Sequence, residues 1–128
     1  MTKDAKIWGI KPTFEDARGS IYDVLEGDRI KHVGILISEA KSIRGNHYHK
    51  KATQWTYVVD GKIIIYIKQL DENSRIKKIE MNPGDIVELP PMTIHAIEAL
   101  ERSTLLVLTD QPRVNNGYEY DTFRIKIA

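Results

Sequence analysis

The sequence contains no cysteine, which excludes disulfide bonds and every metal site built on thiolates. An excess of one charge is also missing, because 19 Lys and Arg stand against 18 Asp and Glu. We therefore expect neither a nucleic-acid partner nor a membrane partner. Long apolar runs are absent as well, and the first residues do not read as a signal peptide. Together these absences favour a cytoplasmic protein.

The chain of 128 residues is long enough to bury a core, and we expect a single domain over residues 1–128. No segment shows a helical period over ten or more residues. Short β-type runs alternate instead with turn signals, which indicates an all-β sandwich or barrel. Gly61 separates two of these runs and predicts a hairpin there. The predicted strands are 6–10, 19–25, 30–40, 42–49, 53–60, 62–70, 75–81, 86–89, 93–100, 103–109 and 122–127.

Apolar side chains occupy both faces of the predicted strand 53–60. Since side chains alternate along a strand, Gln54, Thr56 and Val58 share one face, and Trp55, Tyr57 and Val59 share the other. One face can line a barrel, but the second needs a cover as well. We expect that cover to come from a second sheet or a second subunit, and we predict a homodimer. The alternative is that one chain covers both faces.

Three of the four histidines lie in a pattern that favours a common site. His47 and His49 are two residues apart on one predicted strand, so they project to the same face, roughly 7 Å apart at the backbone. His95 lies on a much later strand. His32 has no such support, and we expect it to be structural or exposed.

The spacing around these histidines resembles the two motifs of the cupin superfamily. In the first motif, Gly45 precedes the His47-x-His49 pair and Gln54 follows after four residues. In the second, Gly84 precedes Pro90, and His95 stands at the position of the family's third histidine. The resemblance covers most of the chain. It implies a cupin barrel, the double-stranded β-helix or jelly roll, that gathers the three histidines at one polar site.

Such a site can work in two ways, and the residues leave both open. Three neutral imidazoles and one oxygen ligand suit Zn, Fe, Mn or Ni, with His47, His49, Gln54 and His95 as ligands. Metal cupins usually carry Glu where Gln54 stands, and a neutral amide is a weaker ligand. Without a metal, an imidazole that titrates near pH 6.5 can move a proton next to a ketone, and no cofactor is required.

A narrower resemblance is carried by three further segments. Asp16-Ala17-Arg18-Gly19 resembles the D-x-R-G segment of RmlC-like nucleotide-sugar 3,4-ketoisomerases and keto-sugar epimerases. The segment from Arg44 to Lys50, R-G-N-H-Y-H-K, is similar to their R-G-x-H-x-H-K segment, and Leu89-Pro90-Pro91-Met92-Thr93 also has a counterpart. Gln54 agrees with the ketoisomerases.

The resemblance implies an isomerase or epimerase that acts on a nucleoside-diphosphate 4-keto-6-deoxy sugar in polysaccharide or glycan biosynthesis. His47 would be the general base, and His49 would shuttle the proton between neighbouring atoms. Arg18 and Arg44 would bind the diphosphate, because a planar fork of donors suits paired anionic oxygens. A structural salt bridge or a turn anchor is the alternative for each arginine. Gln54 and His95 would line the substrate pocket and polarise the carbonyl.

Two departures from the ketoisomerase pattern keep other functions open. The strand before the histidine pair reads Val33-Gly34-Ile35-Leu36-Ile37 and offers no tyrosine as an acid. His95 adds a third metal-like position that the metal-free ketoisomerases do not usually have. One alternative is thus a metal-dependent cupin of another class, for example a small-molecule dioxygenase. Another is a sugar-binding module without catalysis, because a fold does not fix a function.

Overall fold

The structure, a computed structural model, describes residues 4–27 and 29–128. It is almost entirely built of antiparallel strands, which confirms the predicted all-β class. Within the described residues, no helix has the length and apolar character needed to cross a membrane. The elements are β1 (Lys6–Gly9), β2 (Phe14–Asp16), β3 (Gly19–Ile21), β4 (His32–Ser38), β5 (Ile43–Tyr48), β6 (Gln54–Asp60), β7 (Ile63–Gln69), β8 (Lys77–Met81), β9 (Asp85–Leu89), β10 (Thr93–Ala99), β11 (Ser103–Thr109), a 3₁₀ turn (Val114–Asn116), α1 (Gly117–Tyr120) and β12 (Phe123–Arg124).

Two five-stranded sheets form the jelly roll expected of a cupin. The first has the strand order β1-β9-β6-β11-β4, and the second has the order β12-β5-β10-β7-β8. Strands β2 and β3 form a separate hairpin near the N-terminus. The predicted strand 19–25 is therefore shorter than expected, and the hairpin partner β2 was not predicted.

The predicted hairpin at Gly61 is wrong. Strand β6 pairs with β9 and β11, whereas β7 pairs with β8 and β10, so Gly61 carries the chain from one sheet to the other. Gly61 has a φ of +97°, and a side chain there would collide with Ser103. The hydroxyl of Ser103 accepts the N–H of Lys62 and so holds the crossing in place. A glycine between two β-type runs does not by itself distinguish a crossing of this kind from a hairpin.

The space between the sheets changes from apolar to polar along its length. On β10, the inward side chains run from His95 to Ile97 and Ala99, opposite Ile67, Ile65 and Ile63 of β7. On β6 they run from Gln54 and Thr56 to Val58. The buried apolar cluster at one end consists of Val58, Ile63, Ile65, Ile67, Met81, Val87, Leu89, Ile97 and Leu105. The other end of the barrel is left for polar side chains.

The outer face of β6 is covered within the chain at Trp55 and Tyr57, whereas Val59 on the same face is 50% exposed. Trp55 and Tyr57 are buried in a second cluster with Ile86 and Leu108, against which the N-terminal residues Ile10, Val24, Leu25 and Ile30 pack. The alternative to a second subunit therefore holds for this part of β6. An apolar stripe is also left open on β4, an edge strand whose outward side chains Val33, Ile35 and Ile37 are 56%, 72% and 45% exposed.

Candidate functional site

The three predicted histidines meet at the polar end of the barrel. Strands β5 and β10 are antiparallel neighbours, and His47 lies directly opposite His95 across the pair. The ring centroids of His47 are 4.7 Å from His95 and 4.9 Å from His49, and those of His49 and His95 are 5.6 Å apart. All three residues are buried. The alternation along the strand and the second motif thus located the cluster correctly.

A bulge in β5, with Asn46 as the extra residue between Gly45 and His47, explains the glycine that precedes the histidine pair. The register between β10 and β5 shifts between His95 and Ala96. At this point the two backbones approach so closely that a Cβ on Gly45 would lie 2.8 Å from the carbonyl oxygen of His95, and Gly45 has a φ of +92°. Bulges of this kind redirect side chains at sites in sheets. Gly45 therefore permits the close approach that sets His47 against His95.

Hydrogen bonds to the backbone fix the proton on two of the rings. Nδ1 of His49 lies 2.8 Å from the carbonyl oxygen of Asp121, and Nδ1 of His95 lies 3.2 Å from that of Thr93. Because a carbonyl oxygen only accepts, each Nδ1 carries the hydrogen and each Nε2 keeps a lone pair. Both Nε2 atoms, and Nδ1 of His47, are buried without a hydrogen-bond partner among the described residues.

Burial keeps the three imidazoles neutral. Burial, assisted by the nearby charges of Arg124 and Arg113 and by repulsion from His49 when that ring is protonated, lowers the pKa of His47 from 6.5 to about 4. Burial likewise lowers the pKa of His95 to about 3, and it lowers that of His49 against the opposing effect of its hydrogen bond to Asp121. Neutral imidazoles are the form that accepts a proton or binds a metal ion.

Gln54 is buried and lines the same cavity as His47 and His95. Its amide nitrogen donates to Oγ1 of Thr56 at 3.2 Å, which leaves its carbonyl oxygen for a ligand. Nitrogen atoms of the three histidines all lie within 4.8 Å of one another. Metal-bound histidines usually donate their second N–H to a backbone or carboxylate oxygen, as His49 and His95 do here. This donor set fits a divalent metal ion.

The two predicted arginines lie in different places. Arg44 lines the same cavity of about 540 Å³ as His47, Gln54 and His95. Its guanidinium donates to Oγ of Ser38 and to the carbonyl oxygen of Ile37, each at 3.0 Å. Arg18 lies on the β2–β3 hairpin and does not line the cavity. It pairs with Asp16 at 2.6 Å and lowers the pKa of that carboxyl. The role of Arg18 in binding stays a prediction.

Four further residues at the site were not predicted from the sequence. Tyr118, Arg113 and Arg124 line the cavity from the C-terminal side, and His32 lines it from β4. The ring centroid of Tyr118 is 5.4 Å from that of His49 and 6.2 Å from that of His47. Arg113 and Tyr118 precede the predicted strand 122–127 in a segment without a β or helical period, whereas Arg124 lies in that strand, of which the structure has only Phe123–Arg124 as β12. His32, which we expected to be structural or exposed, is half-buried and lines the cavity.

Two side chains hold this C-terminal cover, residues 111–128, on the barrel. The carboxylate of Asp121 accepts the backbone N–H groups of residues 50–52 at 2.8 to 3.1 Å. Oδ1 of Asn46 accepts the N–H groups of Ile127 and Ala128 at 2.8 and 2.9 Å. Strand β12 also pairs with β5 alongside His47. The histidine motif and the cover are thus bonded to each other through Asp121, through Asn46 and through the pairing of β5 with β12.

Comparison with solved structures places this barrel among enzymes of nucleotide sugars. A sugar 3,4-ketoisomerase from Thermoanaerobacterium thermosaccharolyticum, in complex with TDP, is 25% identical with a TM-score of 0.78, over 97% of this chain and 90% of that one. A double mutant of the same enzyme, also with TDP, is 28% identical with a TM-score of 0.77, over 97% and 89%. A dTDP-4-dehydrorhamnose 3,5-epimerase from Sulfolobus tokodaii shares the fold at 18% identity and a TM-score of 0.77, over 95% and 77%.

Fold and site together define an RmlC-like cupin of the sugar-nucleotide isomerase and epimerase class, which confirms the predicted fold and the predicted kind of enzyme. At the level of family, the model described as "Polysaccharide biosynthesis C-terminal domain" matches residues 14–123, and the chain belongs to this family. A search of the curated proteins found no match.

Proposed function

We propose that this enzyme isomerises or epimerises a nucleoside-diphosphate 4-keto-6-deoxy sugar by proton transfer between histidines and the carbons next to the ketone. One observation carries the proposal, namely a buried, neutral His47 that lines a cavity of about 540 Å³ beside a second neutral histidine. A cavity of this volume is typical of small-molecule sites. The related ketoisomerase that binds TDP supports the nucleotide part of the ligand.

In the proposed reaction, His47 removes a proton from the carbon beside the ketone. That proton is acidic because the electron pair left behind is delocalised onto the carbonyl oxygen as an enolate. Return of a proton to the same carbon on its other side gives an epimer. Return to the former carbonyl carbon, with transfer of the neighbouring hydroxyl proton to the former carbonyl oxygen, gives the isomeric ketone. No electron leaves the sugar in either outcome, so the step requires no redox cofactor.

His49 is suited to carry the proton from the carbon that loses it to the carbon that receives it. Its Nδ1–H is held by the carbonyl oxygen of Asp121, so only Nε2 can accept a proton. Its ring centroid lies 4.9 Å from that of His47, on the same face of the strand. A proton taken by one ring can therefore be returned through the other, as in general acid–base catalysis by paired groups.

Tyr118 provides the phenol that is missing from β4. Burial raises the pKa of Tyr118 above its usual value of 10.0, so the phenol keeps its proton at neutral pH. It lies beside both His47 and His49. We assign to it the donation of a hydrogen bond or proton to the oxygen of the enolate. Arg44, Gln54 and His95 would orient the substrate from the other walls of the cavity.

Incubation with a dTDP- or UDP-linked 4-keto-6-deoxy sugar tests the proposal. We expect nuclear magnetic resonance spectra to show a shifted keto group or an inverted carbon in the product. Substitution of Arg102, an exposed residue that pairs with Glu39, serves as a matched control and should leave the conversion unchanged. Failure to convert any of several such sugars would contradict the proposed function.

We also propose that two chains associate through β4. Strand β4 lies at the edge of its sheet. Among the described strands it is hydrogen-bonded to β11 on one side, and no described strand pairs with its other side. Its outward side chains Val33, Ile35 and Ile37 form an exposed apolar stripe. An edge strand with an apolar face is suited to self-association, because a second copy covers the same stripe by two-fold symmetry.

A metal-dependent cupin is the second candidate function. It is favoured by three buried ring nitrogens, one each of His47, His49 and His95, which have no hydrogen-bond partner in the described part of the chain. When bound, a divalent ion would act as a Lewis acid on an oxygen atom of the ligand. Metal analysis of protein purified without a histidine tag separates the candidates. Content near one ion per chain, lost in His95→Ala, supports this function, whereas content far below one excludes it.

A further inference from the structure

The cavity carries an unbalanced positive charge. Arg113 and Arg124 line its C-terminal wall and Arg44 lines it from β5, and none of the other described lining residues is Asp or Glu. The whole chain, by contrast, has a net charge of only +1. A cavity that concentrates one sign of charge in a nearly neutral protein is suited to a ligand of the opposite sign.

Of these arginines, Arg113 and Arg124 have the freer guanidinium groups. The guanidinium of Arg44 already donates to Ser38 and Ile37. Arg18, which lies outside the cavity, is paired with Asp16. Arg113 forms no ion pair with any described carboxylate. Arg124 approaches Glu119 only at 4.0 Å, and both side chains are about two-thirds exposed. An ion pair of this kind is weak and easily exchanged for a ligand.

The positions of both residues are fixed by the C-terminal cover. The guanidinium of Arg113 lies over the ring of Tyr118, 4.0 Å from its centroid. Arg124 is paired in β12 with His47 of β5. Asp121 and Asn46 bond the cover to the barrel on either side of Arg124, at residues 121 and 127–128. The cover therefore places both arginines on the wall of the histidine cavity, with the guanidinium of Arg113 held against Tyr118.

We propose that Arg113 and Arg124 form the subsite that binds the diphosphate of the nucleotide-sugar substrate, with the cover acting as a wall of the binding site. This inference rests on the proposed function for the identity of the anion. A guanidinium offers parallel donors that match two oxygens of one phosphate. Two such forks on one segment match the two phosphates of a nucleoside diphosphate. The sugar linked to the second phosphate then extends towards His47.

Calorimetric titration with dTDP and with inorganic pyrophosphate tests the subsite. Relative to the wild-type protein, we expect Arg113→Gln and Arg124→Gln each to weaken dTDP binding about tenfold, and the double variant to weaken it about a hundredfold. Pyrophosphate affinity should fall in parallel. Arg113→Lys, which keeps the charge and loses the fork, should lie between. Arg102→Gln is the matched control and should bind as the wild type does.

The outcomes separate this inference from the proposed function. Tight dTDP binding by the wild type and by the folded double variant alike would overturn the subsite and leave the proposed function standing. Absence of dTDP and UDP binding to the wild type would overturn both. Loss of dTDP affinity in the double variant, with an unchanged melting temperature and unchanged catalysis by Arg102→Gln, would support the subsite.

Discussion

Gly45 and His95 are in closer backbone contact than any side chain at position 45 would allow. A Cβ on Gly45 would lie 2.8 Å from the carbonyl oxygen of His95 and 3.1 Å from Cα of Ala96. The histidine cluster depends on this contact, because His47 and His95 face each other across the same bulge. The glycine of the histidine motif is thus explained by the packing of two backbones.

Gly45→Ala should therefore destabilise the protein and separate the histidines. The positive φ of +92° and the steric conflict with β10 act in the same direction, and we expect a loss of more than about 1 kcal/mol in the free energy of unfolding. Urea denaturation measures it. Gly9→Ala is the control, because a Cβ there meets only Oδ1 of Asp85 at an ordinary 3.4 Å. Equal stability of the two variants would refute this explanation of Gly45.

The enzyme should remain active at a lower pH than it would with a catalytic histidine of ordinary pKa. His47 acts as a base in its neutral form, and burial lowers its pKa from 6.5 to about 4. The protonation of His47, which abolishes activity, then occurs only at lower pH. We therefore expect kcat/KM to fall only as the pH approaches about 4. A pH profile of the initial rate, limited to the range in which the protein stays folded, measures this. An acid limb centred at pH 6.5 or above would contradict the predicted environment of His47.

The fold and the centre of the site were largely predictable, for a physical reason. Alternation along β5 and β6 placed His47, His49 and Gln54, because a period of two is a property of the strand itself. The bridging of the sheets at Gly61 and the cover of Trp55 and Tyr57 by the N-terminal segment were not predicted. Both depend on which distant strands pair, and the local pattern contains no such information.

The C-terminal wall of the cavity was missed for a related reason. Tyr118 and Arg113 lie in an irregular segment, where no period relates one side chain to the next. Their positions are set by hydrogen bonds between distant parts of the chain, from Asp121 to residues 50–52 and from Asn46 to the last two residues. The polar side chains of Asn46 and Asp121 were visible in the sequence, but their partners were not.

Tyr118→Phe should slow catalysis while leaving ligand affinity nearly unchanged. The substitution removes only the hydroxyl and keeps the ring against His49 and Arg113. General acid catalysis typically contributes about 10²–10⁴-fold, so we expect kcat to fall by at least about a hundredfold. Steady-state kinetics together with dTDP titration separate the two effects. Substitution of Tyr120, which is 78% exposed, by Phe is the control. An unchanged kcat for Tyr118→Phe would remove the phenol from the mechanism.

Association through β4 predicts a particle of twice the chain mass of 14.7 kDa. Val33→Lys and Ile37→Lys place charges on the exposed stripe and should yield monomers, since both side chains already face solvent in the isolated chain. Sedimentation velocity distinguishes the two masses. Ile76→Lys, at a residue that is exposed elsewhere, should leave the dimer intact. A wild-type protein that sediments as a monomer at micromolar concentrations would exclude this interface.

Exchange of deuterium from solvent is the most direct test of the central claim, because proton transfer by His47 must label the sugar in D2O whichever product is formed. We predict that the wild type places deuterium on a carbon beside the ketone of a dTDP- or UDP-linked 4-keto-6-deoxy sugar. His47→Asn should still bind dTDP but should lose at least about 99% of the exchange rate. Exchange by His47→Asn at the wild-type rate, or its absence in the wild type across several such sugars, would contradict the account.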